Sequence, residues 1–125
     1  RRCGWFDAVL VKQTCAISGV NGIALTKIDV LDELESLYIC TAYRLNGKKI
    51  DYFPSSLHDQ VNAKPIYKRF DGWLKNTKGI RKWKDLPNNT KKYVNFIKKY
   101  CGVNISSIST SPKREDTILL QNPFK

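Results

Sequence analysis

The segment Leu25-Thr26-Lys27-Ile28-Asp29 closes an apolar run with a lysine and, two residues on, a carboxylate. A carboxylate fixed at a strand end can accept from two adjacent donors at once. Guanine presents such a pair, its ring N1–H and exocyclic N2–H₂, and adenine does not, so this group would tell the two bases apart. Each charge-assisted bond of this kind is worth about 1.5–3 kcal/mol. Lys27 falls on the same side of the strand as Asp29, where its alkyl stem could lie along a base plane. A surface ion pair is the competing explanation for an isolated K-x-D. No G-x-x-x-x-G-K-[ST] accompanies it, so an ordinary phosphate-loop GTPase is not supported.

Other residues with chemistry of their own are sparse. Cys3, Cys15, Cys40 and Cys101 form no C-x-x-C pair, and His58 is the sole histidine. That set supplies no structural zinc site, and four cysteines over this length make a poor disulfide framework. They read as buried or inert reduced thiols, and His58 as a surface-loop histidine. Between Lys64 and Lys99 there are 12 basic residues opposed only by Asp71 and Asp85, with Trp73 and Trp83 interleaved. Basic residues with aromatics can grip phosphates and stack bases, which would make a module for RNA or DNA. The alternative is a solvated face with two core tryptophans.

These groups need a scaffold, and the pattern supplies one. Phe6 to Ser18 places Phe6, Val9, Leu10, Ala16 and Ile17 at roughly helical spacing, with Asp7 to start the helix and Gly19 to end it. Gly22 to Thr26 reads as a buried strand. Leu37 to Leu45 is rich in β-forming residues and leads into Asn46-Gly47, so Lys48 to Phe53 should pair back as a hairpin. Ser55 to Ala63 reads as loop, Pro65 to Phe70 as a strand, and Asp71 to Pro87 as irregular. Asn89 to Tyr100 puts Tyr93, Val94, Phe96, Ile97 and Tyr100 on one helix face. Val103 to Ile108 and Thr117 to Leu120 complete the chain as strands around a polar turn at Pro112. Helices and strands mix without a βαβ rhythm, which favours an α+β class with β-hairpins.

The whole chain has 125 residues, 42% hydrophobic, with a net charge of +11. It suits one domain with its own core. No run is long and apolar enough for a membrane span, and no secretory signal opens the chain. Methionine is absent and the chain opens Arg1-Arg2, which reads as a piece of a longer polypeptide.

Read in order, Arg1-Arg2-Cys3-Gly4-Trp5-Phe6-Asp7, Leu25-Thr26-Lys27-Ile28-Asp29-Val30-Leu31-Asp32, Cys40-Thr41-Ala42-Tyr43-Arg44, Pro65-Ile66-Tyr67, Gly72-Trp73 and Ile108-Ser109-Thr110-Ser111-Pro112 form a series. The series closely resembles the C-terminal portion of adenylosuccinate synthetase, a larger α/β enzyme, and the likeness runs from Arg1 to Asn122-Pro123-Phe124. The resemblance implies a ligase of AMP synthesis that joins IMP and L-aspartate using GTP and Mg²⁺. It places the phosphate loop, the catalytic aspartate and histidine, and the Mg²⁺ ligands upstream, so residues 1–125 form a single domain with no catalytic or metal-binding residue and no activity alone. It implies that Lys27, Ile28 and Asp29 recognise guanine and that Ser109, Thr110 and Ser111 close over the base through backbone and hydroxyl groups. Arg1 is implied to contact GTP and the substrate side, where a guanidinium holds developing anionic charge. The family usually has glycine at the Ser111 position; if that glycine needs positive φ or a close approach, the serine would alter the contact. A cytoplasmic homodimer is also implied, with GTP, IMP and L-aspartate as partners and no membrane or nucleic acid.

Overall fold

The computed structural model describes residues 5–19, 22–26, 28–111, 113 and 115–119. Among these residues, ten strands and α-helices form two small sheets and three helices: β1 (Phe6–Asp7), α1 (Ala8–Ser18), β2 (Gly22–Leu25), β3 (Ser36–Leu45), β4 (Lys48–Ile50), α2 (Leu57–Asn62), β5 (Lys64–Asp71), α3 (Asn88–Cys101), β6 (Asn104–Ser109) and β7 (Thr117–Leu119). The class is α+β, as the intermixed pattern predicts.

The longest strand, β3, organises the first sheet. One side of it pairs with β1 in parallel near Ile39–Cys40 and with β4 antiparallel at Tyr43–Leu45; β5 runs antiparallel along the other side. The β3–β4 turn carries Asn46 at φ 54° and Gly47 at φ 80°, the pair of left-handed residues that a tight hairpin needs. The return strand stops at Ile50, short of the expected Phe53. Gln13 on α1 captures the Phe53 backbone instead, its Oε1 accepting from Phe53 N at 2.9 Å and its Nε2 donating to Phe53 O at 3.2 Å. In the second sheet β2 lies parallel to β6, and β7 pairs antiparallel with β6.

Asp7 starts α1, its side chain accepting from Leu10 N at 3.0 Å, and Gly19 closes it in the left-handed region. The buried residues of α1 are Ala8, Val9 and Cys15, so the expected stripe is only partly right: Leu10, Ala16 and Ile17 face outward. The loop expected at Ser55 to Ala63 contains α2. Ser56 accepts from Asp59 N at 3.2 Å and caps it, a start signal too short to stand out beside a helix with no buried residue.

Helix α3 buries Tyr93, Val94, Ile97 and Cys101 in the main core, with Leu37 and Ile39 of β3, Ile105 and Ile108 of β6, and Trp73. Trp83 packs half-buried against the same core. The basic residues of the Lys64–Lys99 stretch are exposed, Lys91 alone being half-buried. Cys15, Cys40 and Cys101 are free and buried, and burial pushes the Cys101 thiol up to about 11. Cys3 lies outside the described residues. His58 is exposed, though on α2 and not in a loop. Among the described residues no helix is long and apolar enough to cross a membrane.

Candidate functional site

Parallel pairing of β2 and β6 sets the geometry. Leu25 aligns with Ile108, so both strands point their C-terminal ends the same way and release their following residues at one sheet edge. From β2 the chain enters a 3₁₀ turn over Ile28–Leu31 that carries Asp29. From β6 it passes through Ser109 into Thr110 and Ser111. The C-terminal edge of parallel strands is where open sheets commonly hold ligands, because the loops there converge.

Asp29 thus sits in a turn, not at the strand end itself. The turn is closed by Asp32 N donating to Asp29 O at 3.1 Å and Leu34 N donating to Leu31 O at 3.2 Å. Ile28 anchors it from below with a side chain buried in the core, so its share in any ligand contact falls to its backbone. Asp29 Oδ1 is shut away from solvent with no hydrogen-bond partner among the described residues. An acceptor left so is costly, and a donor supplied by a ligand relieves that cost. Beside it opens a cleft of about 670 Å³, lined by Asp29, Val30, Glu33, Leu74, Asn76 and Lys78 among others.

The Ser109–Ser111 segment is more tightly built than a plain polar turn. Thr110 is fully buried; its amide donates to Asp116 O at 2.9 Å, and its hydroxyl lies 2.8 Å from Ile80 O and 3.1 Å from Asp116 O. Ser111 donates its hydroxyl to Asp116 Oδ2 at 2.7 Å and accepts from Lys113 N at 3.0 Å. Ser109 Oγ donates to Ser111 O at 2.9 Å. All three hydroxyls are engaged within the protein, so backbone groups are what the segment can turn toward a ligand. Ser111 does not have positive φ; among the described non-glycine residues only Asn46 and Leu74 do. A serine therefore fits here without backbone strain, and its side chain serves as an internal anchor.

Asp116 is the hub of this segment. Its carboxyl is held below the ordinary carboxylate value, first by the Ser111 hydroxyl and then by Arg81, whose Nε stands 2.9 Å from Oδ1. Asp32 has the matching role near Asp29: it is buried and accepts from Trp73 Nε1 at 2.7 Å, Thr77 N at 2.7 Å and Thr77 Oγ1 at 2.6 Å. Neither Asp116 nor Arg81 stands out in the sequence, since their partners lie far away along the chain. Lys27 and Arg1 fall outside the described residues. Among the described residues no three His, Cys, Asp or Glu side chains gather to hold a metal ion.

Comparison with known proteins adds a family to this geometry. The family model described as adenylosuccinate synthetase matches residues 1–118. A solved structure of fully ligated adenylosuccinate synthetase from Plasmodium falciparum superposes with a TM-score of 0.91 at 30% sequence identity. The match covers 97% of this chain and 30% of that one, so the chain spans under a third of the length of that relative.

Proposed function

Because the chain belongs to the adenylosuccinate synthetase family, we propose that it supplies the guanine-recognising half of the GTP site in a ligase of purine synthesis. The whole enzyme, on this reading, transfers the γ-phosphoryl group of GTP to the 6-oxygen of IMP. The amine of L-aspartate then displaces phosphate to give adenylosuccinate. Phosphoryl transfer and Mg²⁺ binding belong to the part of the whole enzyme upstream of this chain, Arg1 is assigned to the phosphate and substrate side, and the chain alone is inactive. On the same reading the whole enzyme is a cytoplasmic homodimer.

The observation that carries the reading is the solvent-shielded, unpartnered Oδ1 of Asp29 at the edge where β2 and β6 end in register. Asp29 accepts from guanine N1–H and N2–H₂, Lys27 covers one face of the base, and the Ser109–Ser111 backbone closes the other side. The nucleic-acid alternative draws on Trp73 and Trp83 as stacking faces. Trp73 is instead buried in the core with its indole N–H on Asp32, and Trp83 packs against the same core.

The test is Asp29→Asn in the full-length protein. The substitution turns an N–H₂ toward the guanine donors, so the KM for GTP should rise about 10- to 100-fold, as loss of one charge-assisted bond implies. The KM for IMP should stay near its wild-type value. An unchanged KM for GTP overturns the assignment.

A further inference from the structure

The sheet is not the sole link between the two segments assigned to the base. Asp32 belongs to the same turn as Asp29 and is bonded to it through the backbone at 3.1 Å. Its carboxylate takes three donors from Trp73 and Thr77. Ile80 N then donates to Thr77 O at 3.1 Å, and Ile80 O accepts from the Thr110 hydroxyl at 2.8 Å. One residue on, Arg81 holds the carboxylate of Asp116, which holds Ser111. A run of hydrogen bonds and short backbone steps therefore leads from Asp29, through residues 77–81, to the Ser109–Ser111 segment.

We propose that residues 77–81 are a brace that fixes the spacing between the Asp29 turn and the Ser109–Ser111 segment, with Asp32 and Asp116 as its positioning residues. The inference rests on the guanine reading above and adds to it that specificity depends on side chains beyond those assigned to the base. A carboxylate kept only for solubility faces water. Asp32 is buried, and two of its three bonds tie the Asp29 turn to Thr77 of the brace while the third holds Trp73; buried polar groups so fully satisfied fix a single arrangement. Alignment matters at this site because a two-donor contact tolerates little displacement of the acceptor.

The experiment uses steady-state kinetics of the full-length protein with GTP, for Thr77→Val, Thr77→Ser and Arg81→Gln, alone and combined with Asp29→Asn. Thr77→Val and Arg81→Gln should each raise the KM for GTP about 5- to 10-fold with kcat and the KM for IMP nearly unchanged, a loss typical of one displaced hydrogen bond. Thr77→Ser should restore the wild-type value. In the Asp29→Asn background both variants should add little, because the carboxylate they align is gone. The brace is overturned if Asp29→Asn raises the KM for GTP while Thr77→Val and Arg81→Gln do not. It is also overturned if their effects multiply fully with Asp29→Asn, or if kcat and both KM values move together as a general loss of structure would make them. An Asp29→Asn enzyme with unchanged GTP use would instead remove the underlying reading. Arg81 is largely exposed, so its variant keeps the test open if Thr77→Val does not fold.

Discussion

Gly72 shows how one missing side chain holds a site together. A Cβ built there would stand 1.7 Å from Leu34 O and 2.8 Å from the Leu34 carbonyl carbon. The approach lets Gly72 N donate to Glu35 O at 2.8 Å, while Gly72 O accepts from Asn89 Nδ2 at 3.1 Å. Gly72→Ala must push the exit of β5 away from the turn that carries Asp29 and Asp32, at a cost of about 2 kcal/mol or more. The denaturation midpoint of the full-length protein checks this, and a wild-type midpoint would show that the two backbones separate freely. Asp116 makes a second prediction at this scale. Its folded pKa is depressed, chiefly by Ser111, so its stabilising contribution is present above the ordinary carboxylate value of 3.8 and is lost as pH falls through the depressed value. Ser111→Ala brings the folded pKa back toward the unfolded one, so stability should fall less steeply on acidification than in wild type. Urea midpoints measured down through acid pH would show it; equal slopes would mean that Ser111 is not the main cause. The K-x-D spacing draws attention to Asp29, which the structure places in a 3₁₀ turn and not at a strand end. The bonding of Asp32 and Asp116 was not legible, since Thr77 lies 45 residues from Asp32 and Arg81 lies 35 from Asp116.

Elements with a strong pattern came out nearly as expected, and those without one did not. The face of α3 is written at helical spacing, and its buried Tyr93, Val94 and Ile97 were among the residues expected there. Ile97 is fully buried between the sheets, so Ile97→Ala should cost about 2–5 kcal/mol, read as a lowered denaturant midpoint with unchanged slope. A loss under about 1 kcal/mol would mean that the core collapses around the gap. Helix α1 misled the reading because Leu10 and Ile17 extend its apolar spacing without being buried. In α2 the apolar Leu57 and Val61 are 75% and 76% exposed, and a helix with no buried residue leaves no core-facing periodicity to find. The hairpin was read correctly from Asn46-Gly47, but its length was not. A glutamine on a distant helix decides where the return strand ends, and no pattern within the hairpin records that.

At the scale of the molecule, two sheets share one core built around α3, and the candidate site lies at an edge of the smaller sheet. The family was legible from short motifs in a fixed order, and the match to residues 1–118 agrees with it. The geometry of that edge was not legible, because it depends on β2 and β6 lying parallel with Leu25 opposite Ile108, past a one-residue register shift after Ile23. That pairing also bears on the order of events during folding. Ile23 and Ser106, joined across the two strands at 3.2 Å, are 83 residues apart in sequence. Contacts of such long range close late, after the loop entropy between them has been overcome. The hairpin and α3 can form from neighbouring residues while the chain is still emerging from the ribosome. The candidate site cannot, so a ligand bound there would report that nearly all of the residues between β2 and β6 have been made and have folded.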